Sequence, residues 1–224
     1  MKTRIIGTGS CLPETVVTND DLSKLMDTSD EWISSRTGIR ERHLVKEETT
    51  ASMSVEAAKR AMENAGVTAE DLDLIILGTV SPDFVTPACA CEVQAAIGAH
   101  RAVAFDINAA CSGFMFALNI ANAYIQAGIY ETALILGAET LSKIVDWEDR
   151  STCVLFGDGA GAAVVRADEN YGMLAFDQGS DGTKGKVLAC PGRANNNPLV
   201  KTYQKMPYVH MDGQEVYKFA VTTV

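Results

Sequence analysis

Among the six cysteines of this 224-residue chain, Cys111 has the sequence surroundings of a nucleophile. It stands in Ala109-Ala110-Cys111-Ser112-Gly113, where a strand expected over residues 102–107 hands over to a long helix expected from about 111 to 127 and stopped by Gly128. Phe114, Ala117, Leu118, Ala121 and Ile125 form that helix's apolar stripe. A thiol at a buried helix start meets unpaired backbone N–H donors and the positive end of the helix dipole. Both favour thiolate and lower a thiol's pKa by about one to several units. The competing reading is a small core cysteine packed among alanines, and position alone leaves the two open.

A second constellation lies between residues 28 and 42, Thr-Ser-Asp-Glu-Trp-Ile-Ser-Ser-Arg-Thr-Gly-Ile-Arg-Glu-Arg. Trp32 and Arg36 are four apart and share one helix face. An indole beside a guanidinium offers a flat stacking surface together with a phosphate ligand, which suits a nucleotide such as coenzyme A. A surface packing contact is the plainer alternative.

Other motifs are weaker. Gly157-x-Gly159-x-Gly161 has the glycines of a phosphate loop, but a β-branched strand follows where a helix start is required. It reads as a tight turn joining strands at 152–156 and 161–167. Cys89-x-Cys91 lacks a second close pair, and His43, His100 and His210 are distant in sequence, so no metal site is assigned. The run 177–182 lacks an oxygen ligand at its third position and the closing Glu of a calcium loop, and reads as an ordinary turn.

The elements that must position these residues follow from periodicity. Thr18-x-x-Asp21 starts a helix over 20–26, Ser29 caps another over 30–35 ending near Gly38, and residues 53–65 form an amphipathic helix stopped by Gly66. Thr68-x-x-Asp71 caps a further turn, and residues 73–78 are a strand buried on both faces. A helix over 90–97 and a strand over 132–137 continue the alternation, implying an α/β domain with helices on both faces of a mostly parallel sheet. After Ala167 the texture turns to Gly, Asn, Asp and Pro, including a loop at 195–198, before a final helix over 214–224. The expected division is 1–167 and 168–224.

Composition narrows the function classes. With 47% hydrophobic and 21% charged residues the chain can bury a core, and a formal charge of −10 without basic–aromatic runs gives no support to nucleic-acid binding. The apolar runs are strand-length, against roughly 20 residues for a membrane span. No export signal opens the sequence, so a cytoplasmic location and free thiols are expected.

Gly7-Thr8-Gly9-Ser10, residues 27–32, Arg36-Thr37-Gly38-Ile39-Arg40-Glu41-Arg42, Ala104-Phe105-Asp106, the Cys111 segment and residues 156–162 together resemble β-ketoacyl-acyl carrier protein synthase III, the family that starts type II fatty acid synthesis. The resemblance runs in register through Val224. It implies a thiolase-like fold, whose two similar halves each supply a five-stranded mixed sheet with layered helices. It implies Cys111 as the acyl-accepting nucleophile. Trp32 and Arg150 become the pair that stacks on the adenine of coenzyme A, with Thr28 and Arg36 helping to hold the nucleotide. Thr86 falls where one subunit lines the acyl pocket of its dimer mate, and Leu141 matches another position beside that pocket. Acyl-CoA and malonyl-acyl carrier protein are the implied substrates, a homodimer the implied assembly, and no resident cofactor is implied.

The family's Pro-His-Gln-Ala-Asn motif with its catalytic His, and its later catalytic Asn, do not occur in the sequence. The expectation is therefore an N-terminal part of such a synthase, with the second half incomplete and condensation impaired in this chain alone. Two rivals stand beside it. One is a related thiolase-like condensing enzyme, of the 3-hydroxy-3-methylglutaryl-CoA synthase or ketide type. The other is a non-catalytic fragment that dimerises or binds coenzyme A.

Overall fold

A computed structural model describes residues 1–195, 197–199 and 207–223. Asn196 of the expected loop and Val224 of the expected last helix lie outside the described residues. The chain opens with β1 (Lys2–Cys11), β2 (Thr15–Thr18), α1 (Asn19–Ser23), α2 (Asp30–Thr37) and β3 (Glu41–Leu44). It continues through α3 (Thr50–Ala65), β4 (Leu74–Gly78), α4 (Cys89–Ile97), β5 (Val103–Ile107), α5 (Gly113–Gln126) and β6 (Thr132–Thr140). The remainder is β7 (Asp158–Asp168), β8 (Leu188–Ala189), β9 (His210–Met211) and α6 (Gly213–Thr223).

Two compact units form. The first comprises Met1–Thr15, His43–Thr140 and Asp158–Asp177; the second comprises Val16–Arg42, Leu141–Gly157 and Gln178–Val224. In the first unit β1, β7, β6, β4 and β5 make one sheet in that order, parallel across β6–β4–β5 and antiparallel across β1–β7–β6. The sheet is therefore mixed, as the family resemblance implies, and less parallel than the strand–helix alternation suggests. Alternation along β4 buries both faces. Ile75 and Leu77 join a core with α3 and α4, while Leu74 and Ile76 join one with α5. The helix α5 buries Ala117, Leu118, Ala121 and Ile125 against the second face, and each fully buried leucine or isoleucine contributes roughly 1.5–3 kcal/mol.

Local signals in the sequence set the helix ends. Thr18 and Thr49 form capping boxes at α1 and α3, Ser29 accepts from the Trp32 amide at α2, and Gly38, Gly66 and Gly98 close helices in left-handed conformations. Beyond Thr68 the chain makes a single 3₁₀ turn, Ala69–Asp71.

One expected feature is overturned. Residues 152–156 are not a strand, and Gly157-Asp158-Gly159 is not a hairpin turn; β7 runs unbroken from Asp158. The physical reason is tertiary. Buried Asp158 accepts the Val45 amide at 2.8 Å, and β7 is paired on both sides, with Gly159 opposite Glu139 and Gly161 opposite Ser10 and Gly137. The preceding residues coil instead, because the amides of Thr152 and Cys153 bond to the Asp149 carbonyl, both at 3.1 Å. Cys153 and Val154 then fill the core of the second unit with Leu22, Ile33 and Val145.

Beside that core Arg42 is 5% exposed. Its guanidinium donates to the carbonyls of Val17 (3.1 Å) and Val154 (3.2 Å) and to Asn19 Oδ1 (2.7 Å). No helix among the described residues is long and apolar enough to cross a membrane.

Where α5 meets the sheet, backbone lies on backbone. A Cβ added to Gly78 would stand 2.8 Å from the Gly113 carbonyl carbon. Gly78→Ala is expected to cost about 1–3 kcal/mol in urea denaturation. Gly161→Ala, whose added Cβ meets nothing within 4 Å, is expected to be close to neutral. Equal effects of the two substitutions would show that the close approach is not required.

Candidate functional site

Cys111 belongs to the 3₁₀ turn Ala110–Ser112 that precedes α5, so the helix starts two residues later than the sequence suggests. The reason is the turn itself. Ala110 has φ 46°, a left-handed conformation in a residue with a Cβ, and Ser112 closes the turn at φ −88°, ψ 0°. Such a residue stores on the order of 1 kcal/mol of strain and marks a segment held in place by its surroundings. Cys111 is exposed, whereas Cys89 and Cys153 are buried. Among the described residues Cys111 is not packed as a core cysteine. Ser112 provides no side-chain cap to α5.

The thiol-bearing turn sits at the carboxyl edge of the sheet. Gly113 rests on Gly78 at the end of β4, and Phe114 lies 3.4 Å from the position of a Cβ on Gly137 of β6. The Thr79 amide donates to the Ile107 carbonyl at 3.1 Å, tying the exit of β4 to the strand that leads into the cysteine turn.

In the second unit the sequence-derived nucleotide residues come together. The guanidinium carbon of Arg36 lies 4.7 Å from the centroid of the Trp32 ring, and that of Arg150 lies 5.0 Å from it. Arg36 also donates to the Trp32 carbonyl at 3.2 Å. Arg150 is held by Asp27, donating to its carbonyl and pairing with its carboxylate at 3.5 Å. Thr28 Oγ1 is buried without a hydrogen-bond partner among the described residues. The partly buried indole thus packs against the core that holds Leu22 and Ile33 and has two guanidiniums close to its ring, an arrangement able to take a planar, anionic ligand.

The pocket residues of the resemblance are placed separately. Thr86 is exposed in the β4–α4 loop of the first unit, and half-buried Leu141 opens the short 3₁₀ turn Leu141–Lys143 of the second. Of the histidines, His43 bonds through Nδ1 to the Pro13 carbonyl at 2.6 Å, His100 is exposed, and His210 lies in β9.

Sequence reasoning missed two features. Asp27 gave no motif of its own. Glu139 is the penultimate residue of β6, and its carboxylate accepts the Val80 amide at 2.9 and 3.1 Å, with the Thr79 hydroxyl at 3.2 Å and the Ser81 hydroxyl also donating. Burial pushes the Glu139 carboxyl up, against the lowering effect of these donors.

Residues 105–182 match the family model of 3-oxoacyl-[acyl-carrier-protein (ACP)] synthase III. The chain is 53% identical over 218 residues to the β-ketoacyl-[acyl-carrier-protein] synthase III of Clostridium acetobutylicum, covering 97% of this chain and 67% of that protein. It is similar to the crystal structure of 3-oxoacyl-[acyl-carrier-protein] synthase III from Aquifex aeolicus, with TM-score 0.85, 46% identity, and 96% and 66% of the two chains covered. The corresponding enzyme of Pseudomonas aeruginosa gives TM-score 0.89 and 41% identity, with 99% and 67% covered. The chain thus spans about two thirds of the length of these relatives.

Two outcomes test the local geometry. Ala110→Gly is expected to be neutral or slightly stabilising, because relieved left-handed strain offsets the added freedom of the unfolded chain, while Ala110→Val is expected to lose more than about 1 kcal/mol. The opposite order in urea titrations would reject the strained turn. Glu139 carries a pH signature. Its folded pKa is raised above the unfolded value, so its contribution is most favourable below the unfolded pKa and is lost as pH rises through the folded one. The thermal midpoint of the wild type relative to Glu139→Gln is therefore expected to fall with rising pH across that window. A flat difference would contradict the burial effect.

Proposed function

The chain belongs to the β-ketoacyl-[acyl-carrier-protein] synthase III family, and from that premise we propose that it carries the acyl-accepting half of a decarboxylative condensation that starts fatty acid synthesis. The observation that supports this most is the exposed thiol of Cys111 in a strained turn directly before α5.

In this reading the Cys111 thiolate attacks the carbonyl carbon of an acyl-CoA. A carbon–sulfur bond forms to Cys111, the bond to the CoA sulfur breaks, and CoA leaves as a thiolate that takes up a proton. Malonyl-acyl carrier protein then loses carbon dioxide. The electron pair left on its α-carbon attacks the acyl-cysteine carbonyl, and Cys111 is released as the β-ketoacyl product forms. Covalent catalysis divides one difficult transfer into two easier ones. The coenzyme A thioester brings the acyl group already activated, so the proposal involves no resident cofactor and no metal.

Trp32, Arg36, Arg150 and Thr28 are proposed to hold the nucleotide. Stacking uses the indole, the two guanidiniums meet phosphate and base, and the buried Thr28 hydroxyl has a bond to offer. A base entering between Trp32 and Arg150 has to displace Arg150 from the ring and from Asp27. Thr86 and Leu141 are assigned to the acyl pocket, Thr86 reaching that of a second copy in a homodimer, and a cytoplasmic location fits the same reading.

Incubation with acetyl-CoA followed by peptide mass spectrometry is expected to locate one acyl group on Cys111, absent in Cys111→Ala. An adduct on another cysteine would reject the assignment. Trp32→Ala is expected to raise the acyl-CoA concentration needed for half-maximal acylation while leaving the limiting rate largely intact. Loss of about 1–3 kcal/mol of stacking corresponds to roughly a 5- to 150-fold weakening. An unchanged concentration dependence would make the tryptophan a packing residue only.

A further inference from the structure

The loop from β4 to α4, residues 79–88, is fastened by three carboxylates and has an exposed tip. At its start Glu139 gathers the Thr79, Val80 and Ser81 donors described above. In its middle Asp83 accepts the amides of Thr50 (3.1 Å) and Ala51 (2.8 Å), the first turn of α3. At its end Asp106 of β5 accepts the amides of Cys89 and Ala90, each at 2.7 Å, the first turn of α4. Ser81 is the crossing point of this framework. Its hydroxyl accepts the Thr140 amide at 2.8 Å, and its carbonyl accepts the hydroxyls of Thr50 (2.7 Å) and Thr140 (3.2 Å). Between the anchors Phe84 is 57% and Val85 86% exposed, with Thr86 and Pro87 also exposed.

This distribution is the reverse of what stability alone would select. Withdrawing a carboxylate even partly from water costs free energy that an apolar side chain of similar volume would avoid, and all three anchors are half-buried, while the tip that they hold contributes little burial of its own. Fixed donors and acceptors on three neighbouring elements, β6, α3 and β5, determine where the tip stands. The loop's position is therefore what the framework secures.

We propose that Glu139 and Ser81 are positioning residues that fix the place of Thr86 and so determine which acyl chain lengths the thioester pocket accepts; this rests on the assignment of Thr86 to that pocket. Glu139 touches no substrate in this account. It acts through Val80 and Ser81 on the loop, and displacement of the tip by even about 1 Å changes the fit of a long acyl chain more than that of acetyl.

The test uses the full chain and follows acylation of Cys111 by intact mass, with acetyl-CoA and octanoyl-CoA as probes. The readout is the ratio of the two second-order rate constants. A variant that merely loses folded protein lowers both rates together and leaves the ratio alone. Thr86→Phe is expected to move the ratio toward acetyl-CoA by filling the pocket. Glu139→Ala and Ser81→Ala are each expected to move it by about threefold or more. Glu139→Gln, which keeps an acceptor facing the Val80 amide, is expected to restore it to within about twofold of wild type. Should Glu139→Ala fail to fold by circular dichroism, Ser81→Ala decides, since it leaves the Glu139 bonds to Thr79 and Val80 in place. A ratio that moves in Thr86→Phe but in neither folded anchor variant overturns the positioning role and leaves the pocket assignment standing. A ratio unmoved in all three, or absence of Cys111 acylation by either thioester, overturns both.

Discussion

Backbone packed against backbone at Gly78 and Gly113 is the constraint from which the position of Cys111, the proposed nucleophile, follows. With a virtual Cβ on Gly78 only 2.8 Å from the Gly113 carbonyl carbon, no side chain separates the end of β4 from the start of α5. The helix cannot shift along the strand without a clash, and interiors packed this closely transmit displacement rather than absorb it. Cys111, two residues before Gly113, inherits that fixed point. The apolar stripe from Ala117 to Ile125 then holds the remainder of the helix on the sheet. A loose helix start with the same residues would leave the thiol equally exposed and far less defined in direction.

Around that point stability is repeatedly given up. Ala110 occupies a left-handed conformation, α5 begins without a side-chain cap, and Glu139 is half-buried among neutral donors. Each departure costs on the order of 1 kcal/mol or more. The continuous burial of β4 and β6 on both faces offsets these costs. The strained and polar groups lie where those strands end, and the apolar residues lie along their length. Such separation is expected when a rigid sheet supports a reactive edge.

Much of this was legible in the sequence because it is encoded locally. Capping residues, helix-stopping glycines and the doubly apolar run at 74–77 each act over a few neighbours, and the elements they specify are observed. The failure at 152–159 has the opposite origin. Asp158-Gly159 is a good turn by local chemistry, yet pairing with β1 and β6 and a bond to the Val45 amide extend it instead. Partners outside the turn, about twenty residues away in β6 and more than a hundred away in β1 and at Val45, carry no signal in the turn itself. The same holds for Glu139, whose partners Thr79 to Ser81 are nearly sixty positions away. For Cys111 the sequence located the thiol at a helix start but could not distinguish burial from exposure. For Trp32 and Arg36 spacing sufficed, because four residues on a helix is a geometric statement.

The resting arrangement of Arg150 fits its proposed nucleotide-binding role, because weak contacts suit a residue that must yield to a ligand. Its ion pair with Asp27 is solvent-exposed, with Asp27 fully accessible, and such pairs contribute about 0–1 kcal/mol. Its place over Trp32 is a cation–π contact at 5.0 Å, worth about 0.5–1 kcal/mol at an exposed site. A base stacking on the same indole gains about 1–3 kcal/mol, and a guanidinium that closes over the far side of that base keeps its own attraction to a π face. Displacement of Arg150 therefore costs no more than the incoming ligand returns. A buried, bidentate partner in place of Asp27 would reverse that balance, because breaking a desolvated pair leaves an uncompensated charge. An exposed acidic residue holds the arginine near its ring without holding it there against a ligand.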